Sequence, residues 1–294
     1  MKTFRQVLQG SGFTFTAELS LHRETTIDEA LRQAGVVTGF VDAIQLAENP
    51  HDWIQISPLA LAGLLVRNGI DAVPRLICRD RNRIALQSEL LGLRALGVSS
   101  LILNKGSRLP TGQELNAKPV FDVSGRELVA MANAMNEEEW ADGEHEFVIG
   151  TATTVFAPEP GWNAELLQAR ASAGAQFLVT QPCFDPKMLR LYMRRMVEAK
   201  VTWNYSVIVT LAPLPSAETA RWLVENRRGT LIPDVLIERL EKAADPQLEG
   251  VDICAELIRD IAGIPGVSGF NLLTLGNPEA VVAAIEASGL PHRN

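Results

Sequence analysis

The chain alternates between two hydrophobic periods. Short runs in which apolar residues fill every position or every second one are followed by segments where they recur at three- and four-residue spacing. The first pattern marks strands and the second marks amphipathic helices. Eight runs read as strands: FTFTAEL (13–19), VDAIQLA (41–47), AVPRLICR (72–79), SLILNK (100–105), FVIGTAT (147–153), QFLVTQ (176–181), SVIVTLA (206–212) and GFNLLTL (269–275). A helical pattern follows each, as in TTIDEALRQAG, SPLALAGLLVRNG, RIALQSELLGLRALG and AELLQARASAGA. Several of these end in Gly just before the next strand, where a helix C-cap belongs.

Strands that alternate with helices build a parallel sheet with crossover connections. Eight such units in 294 residues predict an α/β fold, a (β/α)8 TIM barrel. The segment 213–266 is too long for one helix. LPSAETARWLVENRRG, PDVLIERLEKA and DICAELIRDIAG predict two or three helices between strands seven and eight. A doubly wound open sheet is disfavoured, because no GxGxxG follows the first strand and no GxxxxGK[ST] occurs. No linker or low-complexity segment interrupts the pattern, so residues 1–294 read as one domain.

Composition narrows the function. At 47% hydrophobic and 21% charged residues the chain has ample material for one large core. A net charge of −8 argues against nucleic acid and against an anionic membrane surface as partners. Cys78, Cys183 and Cys254 form no CxxC pair and read as buried thiols in a reducing cytoplasm. The N-terminus MKTFRQVLQG lacks the apolar core of a signal peptide, and no apolar run reaches a membrane span. A cytoplasmic location is the expectation. His22, His51, His145 and His292 are scattered, so no metal site is predicted.

In a barrel of this kind the active site forms at the C-terminal ends of the strands. Those ends carry Glu18, Gln45 to Asn49, Arg79 with Asp80, Asn104 with Lys105 and Ser107, Thr151 to Thr154, Gln181, Thr210, and Thr274 with Asn277. A ring of uncharged Thr, Gln and Asn suits a ligand rich in hydrogen-bonding edges. In FTFTAELS, the alternation puts Thr14, Thr16 and Glu18 on one face, opposite Phe13, Phe15 and Ala17. A lone carboxylate there suits proton transfer, because partial burial would raise its pKa toward neutrality. The competing reading pairs Glu18 with Lys105 or Arg79 as a structural ion pair. Gln181 reads either as a ligand contact or as a helix cap, with Asp185 the better cap. RDRNR (79–83) reads as a solvated helix start in preference to a ligand site. FAPEPGW (156–162) is either plain connection or an active-site wall.

Several stretches resemble the methylenetetrahydrofolate reductase family: FTAEL, NPHDWIQISPLALAGLL, LICRDRNRIALQSELLGLRALGV, KPVFDVSGREL and AGAQFLVTQPCFD. The resemblance spans nearly the whole chain. It implies a (β/α)8 barrel, in agreement with the pattern above. It also implies a reaction, in which hydride passes from NADH or NADPH to bound FAD and on to 5,10-methylenetetrahydrofolate. The product, 5-methyltetrahydrofolate, belongs to one-carbon metabolism and methionine biosynthesis. The folate ring must open before reduction, and opening needs an acid. Glu18 matches the glutamate that serves as that acid, and Gln181 matches the glutamine that holds the pterin. Phe184, Thr219 and Asn277 are further expected substrate contacts. Gln45, Arg75, Lys105, Gly106, Ser107 and Arg170 are the expected cofactor contacts, with Arg170 facing the flavin phosphates. Folate and a nicotinamide are the implied small-molecule partners, and a homo-oligomer is the expected assembly.

The sequence departs from the family at three places. NKGSRLP replaces an RGD- or TGD-like turn after strand four, so Ser107 stands where relatives have an Asp near the flavin. Arg75 stands where many relatives have a neutral residue or His, and FAPEPG lacks the family's Tyr. Cations beside a flavin would stabilise its anionic reduced form and raise its potential, favouring oxidation of 5-methyltetrahydrofolate. Two alternatives stay open. One is direct hydride transfer from nicotinamide without flavin. The other is a folate-binding or methyl-transfer partner subunit without redox chemistry.

Overall fold

The computed structural model describes residues 3–8, 10, 13–48, 54–109, 116–137 and 146–291. Eight parallel strands close into a barrel in chain order. They are β1 (Thr14–Glu18), β2 (Ala43–Leu46), β3 (Ala72–Ile77), β4 (Ser100–Asn104), β5 (Val148–Thr153), β6 (Phe177–Thr180), β7 (Ser206–Leu211) and β8 (Val267–Leu273). Closure is made by β1 on β8, with Thr16 beside Asn271 and Glu18 beside Leu273. All eight strands fall within a residue or two of the runs read from the sequence.

The helices are α1 (Phe4–Leu8), α2 (Ile27–Val37), α3 (Pro58–Arg67), α4 (Arg83–Ala95), α5 (Gly125–Asn136), α6 (Glu165–Ser172), α7 (Pro186–Glu198), α8 (Ala217–Asn226), α9 (Asp234–Lys242), α10 (Pro246–Ala262) and α11 (Pro278–Ser288). The segment between β7 and β8 holds α8, α9 and α10, as the pattern predicts. Helix starts are set by side-chain caps on orphan backbone donors. Thr26, Ser57, Asn82, Ser124 and Asp185 each accept from the first turn of the helix they precede. Asp185, not Gln181, caps α7. No helix among the described residues is long and apolar enough to cross a membrane.

Strand alternation divides the apolar residues into two cores. Phe15, Ala17, Leu76, Leu101, Leu103, Leu178, Val209 and Leu272 face outward under the helices. Ala43, Val73, Ile102, Val148, Phe177, Val179 and Ile208 face the lumen with Phe4. Helix α1 is too short to show a helical period, and the sequence pattern missed it. Its Phe4 ring meets Phe177 edge-on at 5.3 Å, and its Phe4 N–H donates to Asp71 at 2.6 Å. Gly150 leaves room for the Phe177 ring, which a Cβ there would strike. One half of the lumen is therefore sealed with hydrocarbon. The other half holds the polar groups.

Candidate active site

Thr16 and Glu18 follow Thr14 along the lumen face of β1, as alternation requires. Above the hydrocarbon floor they meet a chain of polar side chains. Gln45 Nε2 donates to Thr16 Oγ1 at 2.9 Å, and Thr16 Oγ1 donates to Asn271 Oδ1 at 3.0 Å. With Asn271 Oδ1 occupied in this way, its Nδ2 points at Glu18 Oε2, 3.5 Å away. Thr274 holds the neighbouring backbone, donating its N–H to Glu18 O at 3.0 Å and accepting from Ser20 N–H at 3.0 Å.

Glu18 is 6% exposed and lies between two guanidiniums. Arg75 Nη2, from β3, stands 3.4 Å from Oε2. Arg227 Nη2, just past α8, stands 3.2 Å from Oε1. Burial pushes the Glu18 carboxyl up. Arg227 and Arg75, with hydrogen bonds from Arg227 and Asn271, outweigh burial and hold it below its ordinary value. This corrects two expectations. The partners are neither Lys105 nor Arg79, and the group is held as a carboxylate instead of being raised toward neutrality.

Arg227 also joins Glu18 to Gln181, since its Nε lies 3.4 Å from Gln181 Oε1. The residues after it run as a strap over the strand ends. Leu231 N–H donates to Pro182 O at 2.9 Å, and Phe184 N–H donates to Leu231 O at 2.7 Å. Gly229 has φ +84, and a Cβ there would sit 2.7 Å from Thr154 Cγ2 and 3.4 Å from Gln181 Cγ. Only glycine takes that conformation against those neighbours without strain.

The other expected positions divide between the site and its surroundings. Arg75 and Gln181 meet Glu18 directly or through Arg227. Gln45 is 1% exposed, beneath them. Two polar atoms there, Gln45 Oε1 and Arg75 Nε, are buried without a partner. Lys105 is exposed and sits over the Phe121 ring at 5.4 Å, while Gly106 makes the turn at φ +85 and Ser107 is exposed. Arg170 donates to Ala152 O at 3.1 Å from α6. Phe184 is fully buried in the core between sheet and helices. Thr219 bonds to Ser216 in the first turn of α8, and Asn277 caps α11 through Ala280 N–H at 3.1 Å. Asn277 also lines a small cleft with Pro213, Pro215 and Thr274. Asn49 and residues 50–53 lie outside the described residues.

RDRNR corrects a further reading. Asn82 caps α4 and Arg83 is exposed, but Arg79 is 2% exposed with Nε 2.6 Å from Asp80 Oδ1. Arg81 pairs with Glu48 and Glu89. In FAPEPGW, Phe156 packs edge-on against Trp162 at 5.6 Å, and both lie against Tyr192 of α7.

The model of the methylenetetrahydrofolate reductase family matches residues 23–289. The chain belongs to this family. A relative named as a probable methylenetetrahydrofolate reductase (NADPH) from Caenorhabditis elegans is 24% identical over 275 residues, covering 89% of this chain. This reductase-family chain spans 39% of that relative's length. Its fold matches a Clostridium thermocellum protein described as binding two copies of 5-methyl-5,6,7,8-tetrahydrofolic acid, at TM-score 0.62 and 13% identity over 97% and 96% of the two chains. It also matches Yersinia pestis DHPS solved with a pterine-sulfa conjugate, at TM-score 0.51 and 10% identity over 94% and 93%.

Proposed function

We propose that this family member interconverts 5,10-methylenetetrahydrofolate and 5-methyltetrahydrofolate, with NADH or NADPH as hydride donor and FAD as relay. The observation that carries the reading is Glu18. A single buried carboxylate ends β1 in the polar half of the lumen, linked through Arg227 to Gln181. Gln181 offers the pterin an amide edge. Once it carries a proton, Glu18 is the group that delivers it to the folate nitrogen that leaves the methylene carbon on ring opening. The Clostridium protein's ligand supports a folate as the substrate class.

The chemistry of the neighbouring sector fits a flavin nucleotide. Arg75 lies on β3, Lys105 and Arg108 follow β4, and Arg170 lies on α6, which follows β5. Arg75 Nε is buried without an acceptor, and Arg guanidiniums suit phosphate and anionic ring edges. Arg75, Lys105, Gly106, Ser107 and Arg170 would hold the group. Gln45 would not, because its amide is sealed beneath the site and bonded to Thr16. When bound, FAD would supply the hydride relay between nicotinamide and folate.

The test is formation of 5-methyltetrahydrofolate from NADH or NADPH and methylenetetrahydrofolate, with and without added FAD. Turnover that needs FAD, on a yellow protein, is the expected result. Turnover without flavin points to direct hydride transfer. The non-redox reading draws on Ser107, which leaves the turn after β4 without a carboxylate. Binding of 5-methyltetrahydrofolate with no turnover in either direction would establish it in place of the reductase.

A further inference from the structure

We propose that Arg227 is a positioning residue: its guanidinium holds the seat of the pterin ring, and folate entry displaces it from Gln181 and Glu18 with uptake of one proton. The inference deepens the folate reading above and rests on it. One guanidinium occupies both acceptors expected to serve the folate, Glu18 Oε1 at 3.2 Å and Gln181 Oε1 at 3.4 Å. The pterin and Arg227 cannot use Gln181 Oε1 and Glu18 Oε1 in the same way together.

The strap is built so that the side chain moves while its backbone stays. Arg227 N–H donates to Leu223 O at 2.9 Å, and the bridge from Leu231 to Pro182 and Phe184 pins the far end. The two guanidinium contacts are long for charge-assisted bonds, which favour about 2.7–2.9 Å. The side chain is also 18% exposed, so a path to solvent is open. Arg is long enough to leave with its charge retained, and the proton on Glu18 comes from solvent.

The groups facing Glu18 determine the proton count. Asn271 faces it from β8 and is neutral. Gln45 on β2 is neutral and bonded to Thr16. Arg75 faces it from β3 and also feels Glu48 beyond the end of β2. Among the described residues Arg227 is the remaining cation, and its attraction is the largest single influence opposing burial. Once Arg227 leaves, burial works against one shared arginine, and the carboxyl gains a proton. The acid needed for ring opening is then charged by the substrate that uses it.

The experiment is calorimetric titration of the full chain with 5-methyltetrahydrofolate at pH 7 in two buffers of different ionisation enthalpy. The wild-type protein should take up about one proton per folate bound. In Arg227→Ala, Glu18 is already largely protonated, so uptake should fall toward zero, and folate should bind more tightly because nothing has to be displaced. Arg227→Lys keeps a charge near Glu18 and should retain most of the uptake. Its melting temperature beside wild type separates loss of fold from loss of coupling. Folate binding without proton uptake in the wild type, or unchanged uptake in Arg227→Ala, would overturn the role of Arg227 and leave the folate reading standing. Absence of any folate binding to the wild type would overturn both.

Discussion

Glu18 and Glu48 stand at the ends of adjacent strands, both almost fully buried and both facing arginine, yet they titrate in opposite directions. Burial is the largest influence on each. Glu18 meets two guanidiniums and the Asn271 amide, and its carboxyl is held low. Glu48 meets Arg81 and the Ile77 N–H, which donates at 2.6 Å, and its carboxyl is pushed up to about 7. Arg81 is shared with Glu89, and Asp80 adds a negative charge nearby. With burial matched, the number of cations per carboxylate decides the sign. The partners differ in origin as well. Those of Glu18 come from β3, β8 and the strap, so closing the barrel creates the site. Those of Glu48 come from β3 and the residues just after it, and they lock two neighbouring strand ends together.

The largest expected effect tests the acid role assigned to one member of this pair. Glu18→Gln keeps the shape and a hydrogen-bonding edge but carries no transferable proton. Reduction of methylenetetrahydrofolate should fall by about two to four orders of magnitude, while 5-methyltetrahydrofolate still binds. Rapid-mixing kinetics of folate reduction measure this directly. Near-normal turnover would remove Glu18 from the chemistry.

The opposite signs should also appear in stability. Glu48 binds its proton more tightly in the folded chain, so its contribution is fully present below pH 4.5 and is lost as pH rises to about 7. Glu18 is held below 4.5, so its contribution is present above that pH and lost as pH falls. Glu48→Gln should therefore remove a loss of about 3 kcal/mol between pH 4.5 and 7, at 1.36 kcal/mol per unit. Urea unfolding at stepped pH follows the slope. A slope unchanged by Glu48→Gln would mean that Glu48 does not titrate in that window.

The two carboxylates also differ in how far sequence could reach them. The eight strands were legible because both faces of each are buried, and β-rich runs spaced by helical segments fit few architectures besides a parallel barrel. Glu18 was legible through alternation in FTFTAELS. Its partners were not. Asn271 lies inside the apolar run GFNLLTL, where one Asn looks like a defect. Arg227 follows α8 in ENRRGT, where a basic pair before Gly reads as complementing a helix C-terminus. The Gly was the available signal, since it marks a backbone turn that Arg227 enters. Arg79 and Arg81 looked solvated because RDRNR is polar throughout. Arg81 is drawn in by a carboxylate that local pattern does not bring near it, Glu48, 33 residues earlier, whereas Arg79 is 2% exposed although its carboxylate partner, Asp80, is its neighbour in RDRNR.

A smaller effect probes the neutral neighbour on the Glu18 side. Gln181→Ala removes the acceptor that Arg227 holds and that the pterin is expected to take. Folate affinity should weaken by about 1–3 kcal/mol, read as a shift in Kd by titration. Oxidation of NADH or NADPH by an artificial acceptor should be spared if flavin is present. Equal damage to both half-reactions would make Gln181 a structural residue of the β6 end.

The smallest expected effect concerns the crowding that separates Glu48 from Glu18. Glu89 lies on α4, 26% exposed at its side chain, and its Oε1 is 3.4 Å from Arg81 Nε. It competes with Glu48 for the one guanidinium both use. Glu89→Gln removes a negative charge without emptying space in the core, so the fold should be retained. Arg81 then belongs more fully to Glu48, and the charged form of Glu48 gains. Its pKa should fall from about 7, by roughly half a unit given solvent screening at a partly exposed site. Carbon-13 NMR titration of labelled glutamate carboxyls reads the shift. A fall of that size would show that Glu48 is high because its cation is shared. No movement would assign its elevation to burial and Asp80 alone, and the contrast with Glu18 would then rest on the second arginine that Glu48 lacks.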